Sequence, residues 1–333
     1  MNKRRRTVIA LSAGALAAGG AAAYSLERTI VRRWQVDSAT LAAAGRTLPG
    51  DLVHRSVTVS DGGRIHVVER GEGPPLILVH GVTLSAATWA PQIHALSSRH
   101  RVVAVDQRGH GQSFAGADGY SMERLADDLA EVIDTLDVTD AVVVGHSMGG
   151  MVSQLMAVRQ PDLVARRVRG LVLVATSAGP IVPAIGGTAI AQVLTAGAVR
   201  GLKRAGRRGE GIFFSDDAGA WMTRASFGSR PDPADIELTR SMTSSMSPEA
   251  LAELLGPLLS FDVRHRLHRL DLPTTIVVGT RDVLTPPRMA RAMHSFIAGS
   301  DLVEIPGCGH MVMLERSEML NELLVRCAAE AAK

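Results

Sequence analysis

Cysteine is nearly absent from this chain: 333 residues contain two, Cys308 and Cys327. One pair cannot build the disulfide framework of a small secreted fold, so two buried free thiols are expected, with a single bridge as the alternative. Neither Cys-x-x-Cys nor His-Glu-x-x-His occurs, so nothing in the sequence signals a metal site or a cofactor. Aromatic residues are also scarce, at 3%. The net charge is only +3, and much of the basic excess sits in two runs, Lys3 to Arg6 and Lys203, Arg204, Arg207 and Arg208. Without a basic stripe interleaved with aromatics, nucleic acid is not an expected partner. What the chain does have is apolar mass. With 46% hydrophobic and 21% charged residues it can bury a large core, as one sizeable domain or two smaller ones.

The amino terminus reads as targeting logic. Lys3 to Arg6 form a positive region, and Thr7 to Ala23 follow without a charge. Ala21-Ala22-Ala23 offers a small-residue cleavage site before Tyr24, and Arg5-Arg6-Thr7 loosely resembles a twin-arginine signal. Residues 1–23 are therefore expected to be a signal peptide or a membrane anchor, with the rest of the chain exported and a cytoplasmic location as the alternative. Residues 24–52 mix charge and Ala without a sustained period and read as a connector.

From there the chain alternates strands and helices. Asp61-Gly62-Gly63 is a turn signal between Val57–Ser60 and Arg64–Arg70, an opening hairpin. Short continuous apolar runs at Pro75–Val79, Arg101–Val105, Ala141–Val144, Arg169–Thr176, Thr274–Val278 and Asp301–Ile305 suit strands buried on both faces. Helical spacing of Met122, Leu125, Leu129, Val132, Ile133 and Leu136, with Ser121 as N-cap, predicts a helix. Others are predicted after Ser147, breaking at Pro161, from Pro286-Pro287, and over Glu315–Ala329. This order predicts an α/β fold with a mostly parallel sheet covered by helices on both faces, built from residues 53–178 and 273–333. The alternation stops over residues 179–272. That stretch, with Phe213, Phe214, Trp221 and Phe227 and no strong strand, reads as a helical cap over the carboxyl end of the sheet.

The chemistry centres on Gly145-His146-Ser147-Met148-Gly149. The string directly follows one buried strand and directly precedes a helix, where a sharp turn lifts Ser147 above the sheet edge. Glycines at 145 and 149 suit a turn too tight for side chains. A serine hydroxyl needs a base to take its proton and an acid to orient that base. Asp282, after the strand Thr274–Val278, and His310, after Asp301–Ile305, both fall at carboxyl ends of strands and supply them. A tetrahedral intermediate also needs backbone donors. The N–H of Met148 is one, and that of Val82 in the loop His80-Gly81-Val82-Thr83 is expected to be the other, with Thr83 as the alternative. His80 and the segment Asp106-Gln107-Arg108-Gly109-His110 read as braces for these loops.

HGVTLSAATW, DQRGHGQS, GHSMGG, GTRDVLTP and GCGHMVMLE occur in the order and approximate spacing of the α/β-hydrolase superfamily, which the chain resembles over nearly its whole length beyond residue 52. The resemblance implies an eight-stranded sheet with a cap inserted after the sixth strand. It implies Ser147 as nucleophile, Asp282 as acid, His310 as base, and Val82 and Met148 as the oxyanion hole. Serine at the elbow disfavours the haloalkane dehalogenase and epoxide hydrolase branches. The resemblance implies the machinery and not the substrate; the leading reading is a serine esterase acting through an acyl-enzyme, with the aromatic and Met-rich insertion shaping a pocket for a small, apolar acyl substrate. A carbon-carbon bond hydrolase or a cofactor-free perhydrolase using the same triad is the alternative, and a catalytically silent binding protein is a third reading.

Overall fold

The structure, a computed structural model, describes residues 28–181, 197, 199–204, 207 and 217–331. The segment 1–23, read as a targeting sequence, lies outside them, as do Phe213 and Phe214. Among the described residues no helix is long and apolar enough to cross a membrane.

Eight strands form one sheet: β1 (Val53–Thr58), β2 (Arg64–Arg70), β3 (Pro75–Val79), β4 (Arg101–Val105), β5 (Ala141–His146), β6 (Val168–Val174), β7 (Thr274–Gly279) and β8 (Asp301–Ile305). Their spatial order is β1-β2-β4-β3-β5-β6-β7-β8. Only β2 runs against its neighbours, pairing antiparallel with β1 and β4, while β3 to β8 are parallel. The opening hairpin thus exists, with its first strand beginning earlier than the sequence suggested. β5 is buried along its whole length at the centre of the sheet. The reason is its run of Val, which can face apolar layers on both sides. Val143 joins Ile133 and Val152 in one core, and Val142 and Val144 join Trp89, Ile93 and Leu324 in the other.

Helices among the described residues include α1 (Ser38–Ala43), α2 (Ala90–Leu96), α3 (Met122–Thr135), α4 (Met148–Arg159), α5 (Pro161–Arg167), α6 (Asp217–Ala225), α7 (Pro233–Ser245), α8 (Pro248–Leu259), α9 (Pro287–Phe296), α10 (Val312–Glu315) and α11 (Ser317–Ala331). Pro161 does end α4, but it also opens α5, because proline suits the first turn of a helix. The last helix departs from expectation. Glu315 closes a separate short turn, and α11 begins at Ser317 after a break at Arg316, whose φ of −139° and ψ of 46° leave the helical region.

Residues 28–52 are more than a connector. Asp37 caps α1 by accepting the N–H of Thr40 at 2.8 Å. Trp34 packs edge-on against Trp221 with ring centroids 4.8 Å apart, and Arg46 pairs with Asp235. Leu41, Leu48 and Leu52 rest on the second core. These apolar contacts are widely spaced along the chain, so no periodic signal announced them.

Between β6 and β7 the described residues carry α6, α7 and α8 and no strand. Proline begins α7 and α8, and Asp232 and Ser247 cap them. Met246, Leu254, Leu258 and Phe261 bury into the first core and Phe227 into the second. At roughly 1.5–3 kcal/mol for each large side chain buried, these anchors fasten the described part of the insertion to the sheet. Both cysteines are free, Cys308 buried and Cys327 half-buried rather than fully enclosed.

Candidate active site

Ser147 sits where β5 becomes α4, with φ 52° and ψ −118°. That backbone conformation costs a non-glycine residue about 1–3 kcal/mol, so its surroundings must impose it. They do so from both sides of the turn. The Ser147 N–H donates to the Val174 carbonyl at 3.0 Å. Its carbonyl accepts the Thr176 hydroxyl at 2.6 Å and the N–H groups of Gly150 and Met151 at 3.0 and 3.2 Å. The flanking glycines are a steric requirement. A Cβ at 145 would lie 2.5 Å from the Gly149 oxygen, and one at 149 would lie 2.3 Å from the Val79 oxygen.

His310 follows β8 and lines the same cavity as Ser147, of about 570 Å³. Its Nδ1 lies 2.8 Å from Asp282 Oδ2. With the Nδ1 proton committed to that carboxylate, Nε2 of the neutral ring is left as the acceptor. Its main chain is held too: the N–H donates to the Ser226 carbonyl at 2.7 Å, and the carbonyl accepts His146 Nε2–H at 3.1 Å. Asp282 is buried in a turn of its own making. Oδ1 accepts the N–H groups of Leu284 and Thr285 at 2.9 and 2.8 Å, and Oδ2 accepts the Thr285 hydroxyl at 2.8 Å. Burial alone would push this carboxyl up, but the His310 imidazole and the Thr285 donors outweigh it and hold it below its ordinary value. Asp282 therefore builds its turn and orients His310 with the same two oxygens.

The loop after β3 forms the next wall, with Gly81, Val82, Thr83 and Leu84 facing the cavity. Thr83 lies in the left-handed region at φ 63°, and its N–H donates to His110 Nε2 at 3.2 Å. Its N–H is thus already used, whereas Val82 lines the cavity beside Ser147. Met148 is the first residue of α4, where a helix N–H has no partner within the helix. His80 braces the loop, donating from Nδ1 to the Gly81 carbonyl at 2.7 Å and accepting the Gln107 N–H on Nε2 at 3.0 Å. Burial drives both His80 and His110 toward the neutral form, His110 to about 3. Asp106 ties the same region together through the N–H groups of Ala86 and Gln112, and Arg108 is buried between Asp61 and Asp128.

The structure therefore brings Ser147, His310 and Val82 together around one space, with the buried Asp282 held against His310 Nδ1 and Met148 next to Ser147. Most of the remaining lining is apolar, from Ile181, Met222, Leu258, Leu259, Val283 and Leu284. The described aromatics of the insertion are elsewhere, contrary to expectation: Trp221 meets Trp34 and Phe227 fills the core. Thr285 and His146 escaped the sequence reading. The spacing Asp282 to Thr285 was a readable sign of a side chain closing its own turn. Nothing local marked His146 as the partner of a carbonyl so remote in the chain. Among the described residues no cluster of His, Cys, Asp or Glu could hold a metal ion.

Comparison with known proteins gives this chain relatives. A model of the alpha/beta hydrolase family matches residues 76–323. The (E)-2-((N-methylformamido)methylene)succinate hydrolase of Acinetobacter baylyi is 37% identical over 115 residues, 34% of this chain and 44% of that protein. Bifunctional epoxide hydrolase 2 of Rattus norvegicus is 26% identical over 312 residues, 84% of this chain and 56% of that protein. The chain spans about half the length of these two relatives. A solved thermophilic esterase from Thermogutta terrifontis superposes with a TM-score of 0.70 at 29% identity, covering 85% of this chain and 100% of that one.

Proposed function

Since this chain belongs to the alpha/beta hydrolase family, we propose that it is a serine hydrolase cleaving carboxylic esters through an acyl-enzyme on Ser147. The observation that carries the reading is the coupling of a strained Ser147 to one cavity with a His310 whose Nδ1 is committed to a buried Asp282. In this reading His310 Nε2 takes the Ser147 proton as the hydroxyl attacks the ester carbonyl. Asp282 keeps the imidazole in the right tautomer and stabilises the imidazolium. The N–H groups of Val82 and Met148 receive the oxyanion, helped by the amino end of α4. His310 then gives its proton to the leaving alcohol, and a water activated by the same ring releases the acid.

The apolar lining from Met222, Leu258 and Leu259 supports an apolar acyl group. Serine rather than Asp at position 147 argues against epoxide opening, despite the rat relative, because an alkyl-enzyme ester there needs a carboxylate nucleophile. A panel of p-nitrophenyl esters of increasing acyl length, run beside a vinylogous diketone, tests the reading. Turnover of medium acyl esters, with fluorophosphonate labelling that disappears in Ser147→Ala and falls strongly in His310→Ala, is the expected result. Diketone cleavage without ester turnover would replace it with carbon-carbon bond hydrolysis, and absence of any labelling would leave a binding protein.

A further inference from the structure

The loop that carries His310 is not free-standing. Residues Gly307 to His310 lie against Ser226 to Ser229, which belong to the insertion between β6 and β7. The His310 N–H donates to the Ser226 carbonyl at 2.7 Å and the Ser229 N–H donates to the Gly307 carbonyl at 3.2 Å. Approach this close demands glycine on both sides. A Cβ at 228 would lie 2.1 Å from the Gly307 oxygen, and one at 309 would lie 2.4 Å from the Gly228 nitrogen.

Across this seam sits one carboxylate. Glu315 ends the short helix α10 and accepts the Gly228 N–H on Oε2 at 2.7 Å and the Gly309 N–H on Oε1 at 2.9 Å. One oxygen therefore holds the insertion and the other holds the residue before His310. Among the described residues no cation forms a salt bridge with it: Arg316 instead donates to the Glu315 main-chain carbonyl, and nearby Asp235 is paired with Arg46. A carboxylate kept partly buried on two neutral N–H groups, with no ion pair, is costly unless those two bonds matter. The seam also reaches the cavity, since Ser226 and Thr223 both line it.

We propose that Glu315 is a positioning residue that fastens the insertion to the loop bearing His310, so that seating of the insertion and placement of the imidazole are a single event. A ligand pressing on Ser226 acts on the residue whose carbonyl holds the His310 main chain. This rests on His310 being the base of the proposed reaction, but the alignment itself is visible without turnover.

The test uses the full chain and four variants, Glu315→Ala, Glu315→Gln, Ser147→Ala and His310→Gln. Imidazole 15N–1H correlation spectra report the His310 tautomer, assigned by the signals missing in His310→Gln. Ester turnover and thermal melting are measured alongside. Wild type and Ser147→Ala are expected to show His310 protonated at Nδ1. Glu315→Ala is expected to remain folded, to show a mixture of tautomers, and to lose about 10- to 100-fold in kcat with KM changed by less than about threefold, as for a base displaced by around 1 Å. Glu315→Gln retains one acceptor and should recover part of both signals. If Glu315→Ala does not fold, an intermediate tautomer mixture and kcat in Glu315→Gln carry the proposal. An unchanged tautomer and unchanged kcat in a folded Glu315 variant, with only a lower melting temperature, overturn it. If wild type turns over no ester at all, the tautomer comparison still decides the role of Glu315, while the esterase reading falls separately.

Discussion

Ser147 and His310 line one cavity, yet they are held by different means. The serine is fixed through its main chain: the N–H groups of Gly150 and Met151 close on its carbonyl, the Val174 carbonyl at the end of β6 accepts its N–H, and Thr176, just beyond β6, donates to its carbonyl. The histidine depends on groups remote from it in sequence, Asp282 after β7, His146 at the end of β5 and Ser226 in the insertion. A nucleophile can be aimed by backbone strain because its reactive atom is close to the main chain. A base with a long side chain needs its ring oriented, and that takes partners on several elements. Robustness should therefore differ between the two halves, with the serine side failing through folding and the histidine side failing through catalysis.

The largest effect is expected on the histidine side. In Asp282→Asn the side-chain amide can present an N–H to His310 Nδ1, which would favour the tautomer protonated at Nε2. Ester turnover should fall by about 10⁴-fold in kcat with the protein still folded. Steady-state kinetics alongside melting curves check this, and a loss of less than about tenfold would mean that Asp282 serves its turn alone. On the serine side, Gly149→Ala should instead cost about 3 kcal/mol of stability, because the new Cβ lands 2.3 Å from the Val79 oxygen with backbone on both sides of the clash. Urea unfolding measures it. A variant as stable as wild type would show that α4 can slide on β3, and the comparison would lose its premise.

How much of this was readable beforehand follows the same division. Ser147, Gly145 and Gly149 form a contiguous string between a Val run and a helix, so local rules placed them. Asp282 and His310 were readable as residues at carboxyl ends of strands, but not the hydrogen bonds that hold them. Glu315 looked like the first residue of a terminal helix, and only the folded chain brings it to Gly228. The aromatics of the insertion misled for a related reason: residue type suggested a pocket, whereas burial between elements took Phe227 into the core and Trp221 onto Trp34. Residues 28–52 likewise owe their order to contacts with α7 and the second core, which composition does not report.

A smaller effect isolates the strain. Ser147→Gly removes the Cβ from a residue at φ 52°, so it should abolish ester turnover and yet raise stability by about 1 kcal/mol. Comparing it with Ser147→Ala, which keeps the strain and also loses the hydroxyl, separates the two contributions. Equal stability of the two variants would mean that the turn relaxes without cost and that Ser147 is not held under tension.

The smallest effect lies in acid and concerns the partner of the base. The Asp282 carboxyl is held below its ordinary 3.8 in the folded protein, because its His310 and Thr285 partners outweigh burial. A carboxyl with a lowered folded value stabilises the protein fully above the unfolded value and loses that contribution as pH falls through the folded one. Wild type should therefore lose stability faster than Asp282→Asn as pH falls below the ordinary carboxyl value of 3.8, since the variant has no proton to take up at that position. Asp61 and Asp106 are also held low, by Arg108 and His66 among others, and titrate alike in both proteins, so only the difference between the two curves counts. Urea midpoints at successive pH values give that difference. Parallel curves would show that the His310 pairing adds nothing to folding, leaving Asp282 as a residue kept for the orientation of the base.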